Sequence, residues 1–347
     1  VERSRGLGDV YKRQSSYDST NPEIQSLNEQ SKQYAEQIMQ IVDEVQKVIV
    51  GQEQVIKKLV IAMMADGHVL LEGVPGLAKT KMVDTLSKTI SSNFCRIQFT
   101  PDLLPADIIG TKIYDNKEEK FTTEKGPIFS NLILADEINR APPKVQSALL
   151  EAMQERQVSI HGDTYEIEKP FLVLATQNPI ESEGTYRLPE AQVDRFALKL
   201  IIDYPSKDNE KLIIQRNTQE NKPTAQNIIS KEKILEIQNF VQKIYADEKI
   251  EEYVSSIVDA TRNPKNYDLG LDGIIEFGAS PRASIWLILA AKAHALLSGR
   301  GFVIPEDIKS IANDVLRHRI ILTFEAEAEG NTSDDLINKI LEKVRAP

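Results

Sequence analysis

The sequence predicts an α/β fold in which a parallel β-sheet lies between helices, followed by an all-α domain. From Gly67 to about residue 204, short apolar runs alternate with helical patterns, which is typical of a parallel sheet covered on both faces. A Gly-rich turn joins the first apolar run to a helix, and the pattern becomes helical after Tyr204. We therefore expect a core at residues 31–204 and a helical domain at residues 205–347.

Each core element follows from local patterning. Apolar residues at helical spacing predict two helices within 31–65, separated by a turn at Val50-Gly51-Gln52. Further helices are expected at 143–155 and 189–196. The predicted strands are 68–72, 94–100, 132–135, 171–176 and 197–203. Two segments interrupt the alternation: a polar one at 113–128, and one at 158–169 whose period of two around Gly162 predicts a hairpin.

The second domain is predicted to be helical throughout. Helices are expected near 207–218, 231–245, 250–262, 281–298, 305–317 and 332–344. Ser280-Pro281 and Pro305 are strong helix starts, because Ser caps a helix and Pro suits its first position.

Composition narrows the class of protein. The formal net charge is −10, and the chain has no basic stripe, which disfavours nucleic acid as a partner. The single cysteine, Cys95, cannot form an internal disulfide. No run approaches the roughly 20 apolar residues of a membrane span. We expect a cytoplasmic protein with no membrane span.

The first fourteen residues differ from the rest. They show no period, no initiating Met and no apolar core of a secretory signal. We interpret them as non-native read-through fused to the true start, and we expect residues 1–30 to be largely disordered.

The most informative motif is the turn at residues 73–80. It follows an apolar strand and precedes a helical pattern, so its backbone N–H groups and the positive helix end can cradle a phosphate. Lys79 can reach the β- and γ-phosphates of a nucleotide, and the Thr80 hydroxyl can ligate Mg²⁺. Ala78 stands where the strict P-loop pattern has Gly, and an ordinary Gly/Pro turn is the alternative. The eight residues are Gly73, Val74, Pro75, Gly76, Leu77, Ala78, Lys79 and Thr80.

Two later strands end in polar residues. Asp136 and Glu137 close the run that starts at Leu132, and in a parallel sheet they would lie beside the Gly-rich turn. Asp136 can hold Mg²⁺, and Glu137 can orient and polarise an attacking water. Asn178, after the next strand, can bind the γ-phosphate or that water. For Asp136 and Glu137 the alternative is a strand that ends in a solvated acidic turn. For Asn178 it is an ordinary turn that starts before Pro179.

Two arginines are candidate contacts to a nucleotide. Arg195 ends a short predicted helix and is either an arginine finger or a surface residue paired with an acidic neighbour. Arg282 lies in the first turn of a predicted helix, where a cation opposes the helix dipole. That unfavourable placement is explained if Arg282 reaches a bound anion.

The ordered set of motifs resembles the MoxR family of AAA+ ATPases over about residues 31–347. The matching segments are Val50-Gly51-Gln52, GVPGLAKT at 73–80, LILADEINRAPPKVQSALLEAMQE at 132–155, ATQNPIESEGTYRLPEAQVDRF at 175–196 and GASPRA at 278–283. The alanine at position 78, which departs from the strict P-loop pattern, looks like the residue that this family usually has there. The interruptions at 113–128 and 158–169 resemble the helix-2 insert and the pre-sensor hairpin of this branch.

The resemblance implies a role for each residue. Gly73–Thr80 would be Walker A, with Asp136 and Glu137 as Walker B and Asn178 as sensor 1. Arg195 would act on the neighbouring subunit's nucleotide, Arg282 would be sensor 2, and Val50 and Gly51 would lie near the adenine. ATP with Mg²⁺ would bind between core and lid in a homo-oligomer, expected to be a hexameric ring. Client proteins and proteins with a von Willebrand factor A domain would be its partners in chaperone-like maturation.

One departure and three alternatives stay open. Arg187 stands where the family pattern has Pro, which puts a second cation near the expected subunit interface. The alternatives are a metal-chelatase-type motor subunit, a DNA-remodelling motor, and a scaffold that binds nucleotide without hydrolysing it. The acidic charge disfavours the DNA motor. Glu137 and Asn178 disfavour the scaffold, because binding alone needs neither.

Overall fold

The computed structural model describes residues 22–74, 76–117, 119–178, 185–219, 223–271 and 273–347. The strands in chain order are β1 (Val69–Glu72), β2 (Phe94–Gln98), β3 (Gly110–Asp115), β4 (Lys120–Lys125), β5 (Leu132–Asp136), β6 (Gln157–Ile160), β7 (Asp163–Glu166), β8 (Leu172–Gln177), β9 (Leu198–Ile201), β10 (Ile275–Phe277) and β11 (Ile321–Leu322).

The α-helices, again in chain order, are α1 (Pro22–Val48), α2 (Glu53–Met64), α3 (Lys79–Thr89), α4 (Pro105–Ile109), α5 (Pro143–Glu155), α6 (Glu190–Val193), α7 (Lys207–Thr218), α8 (Lys231–Lys243), α9 (Glu248–Arg262), α10 (Pro281–Leu297), α11 (Pro305–Leu316), α12 (Phe324–Ala328) and α13 (Ser333–Lys343). No helix among these described segments is long and apolar enough to cross a membrane.

The core of the molecule is a five-stranded parallel sheet in the order β2-β5-β8-β1-β9. Successive residues of a strand point to opposite faces, and both faces are covered. Leu70 and Ile133 pack in one apolar cluster with α5, whereas Leu71 and Leu134 pack in another with α1, α2 and α3. Burial on both sides explains why these strands read as continuous apolar runs, and the predicted α/β fold is confirmed.

Helix α10 of the helical domain packs against the edge of the sheet where the strands begin, which we call the amino edge. A side chain added at Gly67, just before β1, would come within 2.8 Å of the Trp286 ring and 2.6 Å of Ala197. Gly67 therefore allows α10 to approach the start of β1 and β9 closely. The domain is helical as predicted, with one addition: β10 and β11 form a short antiparallel pair.

The disorder predicted for residues 1–30 requires a correction. Helix α1 begins at Pro22, so the predicted disorder is wrong for residues 22–30. Ile24 is buried and Leu27 packs against the core, while the Asn28 side chain accepts a hydrogen bond of 2.7 Å from the Gly301 backbone. This segment is helical because its apolar residues have a partner surface on the helical domain. Residues 1–21 lie outside the described residues.

Both interruptions of the core are hairpins. Strands β6 and β7 pair as predicted from the period of two. The polar segment expected at 113–128 forms an antiparallel pair of β3 and β4, with Gly110 opposite Lys125. The pattern did not predict this second hairpin, because Ile113, Tyr114 and Phe121 on its strands are exposed rather than packed on one buried face.

Candidate functional site

The ends of three neighbouring strands bring the predicted site residues together. Strand β8 pairs with both β1 and β5, with Glu72 opposite Gln177 and Ala135 opposite Ala175. The strands are parallel, so the residues that follow them meet at the same edge of the sheet, which we call the carboxyl edge. Gly73, Asp136 and Asn178 therefore lie together there, where open α/β sheets bind their ligands.

The Gly-rich turn has the geometry of a phosphate cradle. Ala78 precedes α3 in the left-handed conformation, with φ 55° and ψ 24°. Its side chain has no acceptor to cap the helix, so the first N–H groups of α3 are available to an anion. A side chain added at Gly73 would lie 2.8 Å from the carbonyl oxygen of Ile202, so only glycine fits that position. Pro75 lies outside the described residues.

The predicted Lys79 is placed to hold a phosphate. Its ammonium group donates a 2.6 Å hydrogen bond to the Gly73 carbonyl, across the turn. Burial lowers the pKa of Lys79, against the opposing effect of Asp136, Glu137 and Glu72. The cation thus faces the carboxylates at the carboxyl edge. Thr80 follows it in the first turn of α3.

The Thr176 hydroxyl fixes the two carboxylate residues relative to each other. It donates a 2.6 Å hydrogen bond to Asp136 Oδ1 and accepts one of 2.8 Å from the Glu137 backbone N–H. Glu137 itself adopts a left-handed conformation with φ 56°. The turn after β5 therefore presents both carboxylates at the carboxyl edge, next to Asn178, which is buried.

Strand β2 supplies two further residues that sequence reasoning missed. Arg96 donates to Asp136 Oδ2 from Nε at 3.0 Å and from Nη2 at 2.5 Å. Gln98 accepts a hydrogen bond of 2.9 Å from Arg96 and donates one of 2.8 Å to Glu137 Oε2. Hydrogen bonds from β2, an outer strand of the sheet, therefore reach the carboxylates of both Asp136 and Glu137. The only sequence signal was a polar residue on either side of Ile97, and strand order cannot be read from that.

The residues expected near the adenine line a cavity of about 530 Å³. Val50 and Gly51 form one wall, and Asn209 and Leu212 of α7 belong to the other. The Asn209 amide would lie 2.8 Å from a side chain added at Gly51, so the turn and α7 are in close contact. The cavity has the size of a small-ligand pocket.

The two candidate arginines lie at the other end of the sheet. Asp194 precedes β9, whose first residue, Leu198, is opposite Val69 at the start of β1. Arg195 follows Asp194, and Arg282 donates 3.2 Å to the Asp194 carboxylate. Both arginines are therefore at the amino edge, whereas residues 73–80 follow the end of β1. The two arginines lie near each other, at the opposite end of β1 from the Gly-rich turn of their own chain.

Arg187 is not part of either group. Its side chain is 86% exposed, and its partner is Glu190 at 3.6 Å, one turn along the chain. An ion pair so open to water contributes little to stability.

The residues present fit a nucleoside triphosphate with a divalent cation. The open start of α3 and the Lys79 ammonium match the charge of the phosphates. The Thr80 hydroxyl and the Asp136 carboxylate are the hard oxygen donors that Mg²⁺ prefers, and a nucleotide-bound Mg²⁺ needs only one or two protein ligands. The arrangement can hold a phosphate chain and orient a water against it.

Comparison with known proteins identifies the class. Residues 68–198 match the model of the ATPase family associated with various cellular activities (AAA), and residues 272–340 match the AAA lid domain. A crystal structure of a candidate ATPase from Cytophaga hutchinsonii superposes with a TM-score of 0.88 at 52% identity, covering 94% of this chain and 100% of that one. The fold and the site define a nucleotide-binding AAA+ ATPase.

Full-length relatives narrow the class to one family. Chaperone MoxR1 of Mycobacterium tuberculosis is 49% identical, covering 88% of this chain and 81% of the relative. The uncharacterised protein YeaC of Bacillus subtilis is 46% identical, and protein MoxR of Methylorubrum extorquens 32%, each covering 88% of this chain and 93% of the relative. The chain belongs to the MoxR family of AAA+ ATPases, which confirms the sequence-based assignment.

Proposed function

We propose that this ATPase hydrolyses Mg²⁺-bound ATP at the carboxyl edge of its sheet, in an assembly in which a neighbouring copy supplies two arginines. The observation that carries the proposal is the meeting of three strand ends, which places the Lys79 cation beside Asp136 and Glu137. Val50 and Gly51 would contact the adenine from the cavity that they share with α7.

Each residue at this edge has a task that its position supports. The N–H groups of residues 76–80 and the Lys79 ammonium bind the phosphates. Thr80 and Asp136 would hold Mg²⁺, which neutralises charge on the β- and γ-phosphates when bound. Glu137 orients the attacking water, and Thr176 fixes the direction from which Glu137 approaches. Asn178 contacts the γ-phosphate or the water.

The position of the arginines supports their action between copies. Arg195 and Arg282 lie at the amino edge, so a nucleotide at the carboxyl edge of the same sheet is on the far side of β1. Placed against the carboxyl edge of the next copy, they would stabilise negative charge on the transferring phosphoryl group. A repeated head-to-tail contact of this kind closes into a ring when its rotation permits. A hexamer is our prediction for that ring.

The work performed with ATP is proposed from the family. A relative named as a chaperone is 49% identical over most of both chains, which supports chaperone-like maturation or activation of client proteins. Partners with a von Willebrand factor A domain and a cytoplasmic location remain predictions from the sequence.

Two substitutions test the site itself. Lys79→Ala should abolish Mg²⁺-dependent binding of a fluorescent ATP analogue, because the phosphates lose their half-buried cation. Glu137→Gln should retain binding and lose hydrolysis by at least about tenfold, since the amide cannot polarise the water. Wild-type hydrolysis in the Glu137→Gln protein would show that the role given to Glu137 is wrong.

Mixing subunits tests the shared site. Arg195→Ala subunits keep a complete nucleotide edge, and Lys79→Ala subunits keep complete arginines. Co-assembly of the two inactive proteins should restore part of the hydrolysis. The absence of recovery at every mixing ratio, with assembly intact by light scattering, would contradict action between copies.

A further inference from the structure

One carboxylate of the core, that of Asp194, receives three donors from the helical domain. The Ser280 hydroxyl donates to it at 2.9 and 3.0 Å, Arg319 Nε at 2.8 Å and Arg282 Nη1 at 3.2 Å. We call these four residues the Asp194 cluster. It joins the residue next to Arg195 to the first turn of α10, where Arg282 lies, and thus connects the two candidate arginines.

Arg319 is the fixed member of the cluster. Its side chain is fully buried, and besides the Asp194 carboxylate it donates to the backbone carbonyls of Asp194 at 3.0 Å, Phe196 at 2.6 Å and Ala197 at 3.2 Å. It also donates to the carbonyl of Val315. Burial lowers the pKa of Arg319 to about 10, and the nearby Asp194 opposes that shift, so the guanidinium is charged at neutral pH. With every part of the group engaged, Arg319 cannot leave without unpacking the domain contact.

Arg282 is the exchangeable member. It makes one contact to Asp194 at 3.2 Å, and 46% of its side chain is exposed. An ion pair that is this open to water is weakly held. Ser280 keeps the start of α10 on Asp194 independently of Arg282, because its hydroxyl also accepts from the Arg282 backbone N–H. An anion that approaches from outside can therefore attract Arg282 while Asp194 stays paired.

Arg195 sits between two clamped peptide groups. The carbonyl of Asp194 before it and that of Phe196 after it both accept from Arg319, and His318 donates a further 3.1 Å bond to Phe196. The Arg195 Nε atom is buried and has no hydrogen-bond partner among the described residues. The backbone on both sides of Arg195 is therefore held by Arg319, whereas the Nε atom of its side chain is held by no acceptor among the described residues.

We propose that Asp194 is a positioning residue that presents Arg195 and Arg282 as one unit to the triphosphate of a neighbouring copy. Arg319 anchors Asp194, Asp194 sets the backbone that carries Arg195, and Arg282 rests on Asp194 until the phosphates of the neighbour attract it. The inference rests on the proposed function, since it needs a nucleotide supplied by another copy. It adds that the helical domain holds the segment around Arg195 through the Asp194 carboxylate, in addition to the backbone carbonyls that accept from Arg319.

Asp194→Asn is the direct test, because it keeps the shape and removes the charge. We expect binding of a fluorescent ATP analogue to stay within about twofold of wild type, since the nucleotide edge is at the other end of β1. We expect kcat to fall by at least about tenfold with little change in KM, because the neighbour's phosphates lose two oriented cations. Co-assembly with Lys79→Ala subunits, which carry an intact Asp194, should restore part of the hydrolysis.

A matched control separates positioning from general loosening of the domain contact. Glu168 and Lys231 form another ion pair between the core and the helical domain, at 2.9 Å, which includes no residue of the Asp194 cluster. Glu168→Gln should leave kcat unchanged. If Glu168→Gln lowers kcat as much as Asp194→Asn does, the effect is not specific to Asp194 and the inference is overturned.

The mixed assemblies also separate this inference from the proposed function. If Lys79→Ala subunits rescue Arg195→Ala but not Asp194→Asn, Asp194 does not act on the neighbour and the inference fails while the shared site stands. If they rescue neither, the shared site itself fails. Should Asp194→Asn not fold because Arg319 loses its counterion, Ser280→Ala replaces it. That variant removes the hydroxyl contact to Asp194 together with the cap on the Arg282 backbone N–H and keeps the Asp194–Arg319 pair, and a kcat and rescue equal to wild type would overturn the inference.

Discussion

Replacing the buried His68 should remove part of the acid sensitivity of the fold. His68, the residue before β1, connects that strand to α5 and β8. Its Nε2–H donates a hydrogen bond of 3.1 Å to the Met153 carbonyl near the end of α5, and its Nδ1 accepts one of 3.0 Å from the Val173 N–H of β8. A second proton on Nδ1 would have to displace that N–H. Burial, with the nearby Arg156, lowers the pKa of His68 well below its usual range, so the folded protein keeps the ring neutral.

The sign and size of the effect follow from linkage. The folded-state pKa is depressed, so the unfolded chain takes up a proton that the folded chain refuses, and stability is lost as the pH falls below the unfolded pKa of about 6.5. At about pH 5.5 the free energy of unfolding is lowered by RT ln 11, roughly 1 kcal/mol, whereas at about pH 7 it is lowered by much less. One neutral buried imidazole therefore accounts for about 1 kcal/mol of lost stability between these conditions.

Urea unfolding of wild type and His68→Gln at the two pH values measures this difference. The substitution itself destabilises the protein at both pH values, but the difference in the free energy of unfolding between wild type and variant should narrow by about 1 kcal/mol on acidification. His161→Gln is the control, because His161 is exposed at the turn of the β6–β7 hairpin, and it should leave the gap constant. A gap that does not narrow for His68→Gln would refute the reasoning.

Three further changes probe the nucleotide edge. Arg96→Ala should lower the Mg²⁺ concentration needed for half-maximal nucleotide binding severalfold, because Asp136 Oδ2 loses its two hydrogen bonds from the guanidinium; an unchanged Mg²⁺ titration would contradict this. Ala78→Gly relieves a left-handed alanine that costs about 1–2 kcal/mol and adds about 0.4–1 kcal/mol of unfolded-chain entropy. Thermal unfolding should therefore show equal or slightly higher stability, and a loss above about 1 kcal/mol would be inconsistent with the observed φ. Gly73→Ala should abolish nucleotide binding, since its methyl group would lie 2.8 Å from the Ile202 carbonyl; tight binding of a fluorescent ATP analogue would contradict the close packing.

Much of the nucleotide edge was predictable because its residues are contiguous in the chain. A strand, a turn and a helix start are local patterns, so Lys79, Asp136 and Asn178 could be assigned by their place after apolar runs. Parallel strands then oblige these residues to share an edge, whatever the order of the strands. Arg96 and Gln98 escaped prediction, because the choice of β2 as the neighbour of β5 is a tertiary pairing and leaves no mark on the residues themselves.

The chain by itself determined the α/β core, the helical domain, the phosphate turn and the family, since each depends on local periodicity or on residues in a fixed order. Only the tertiary structure decided that helix α1 begins at Pro22, because its burial partner lies near Gly301. Only the tertiary structure placed Arg282 on Asp194, the residue before Arg195. That contact joins residues 88 positions apart, and it depends on how the helical domain packs against the amino edge of the sheet.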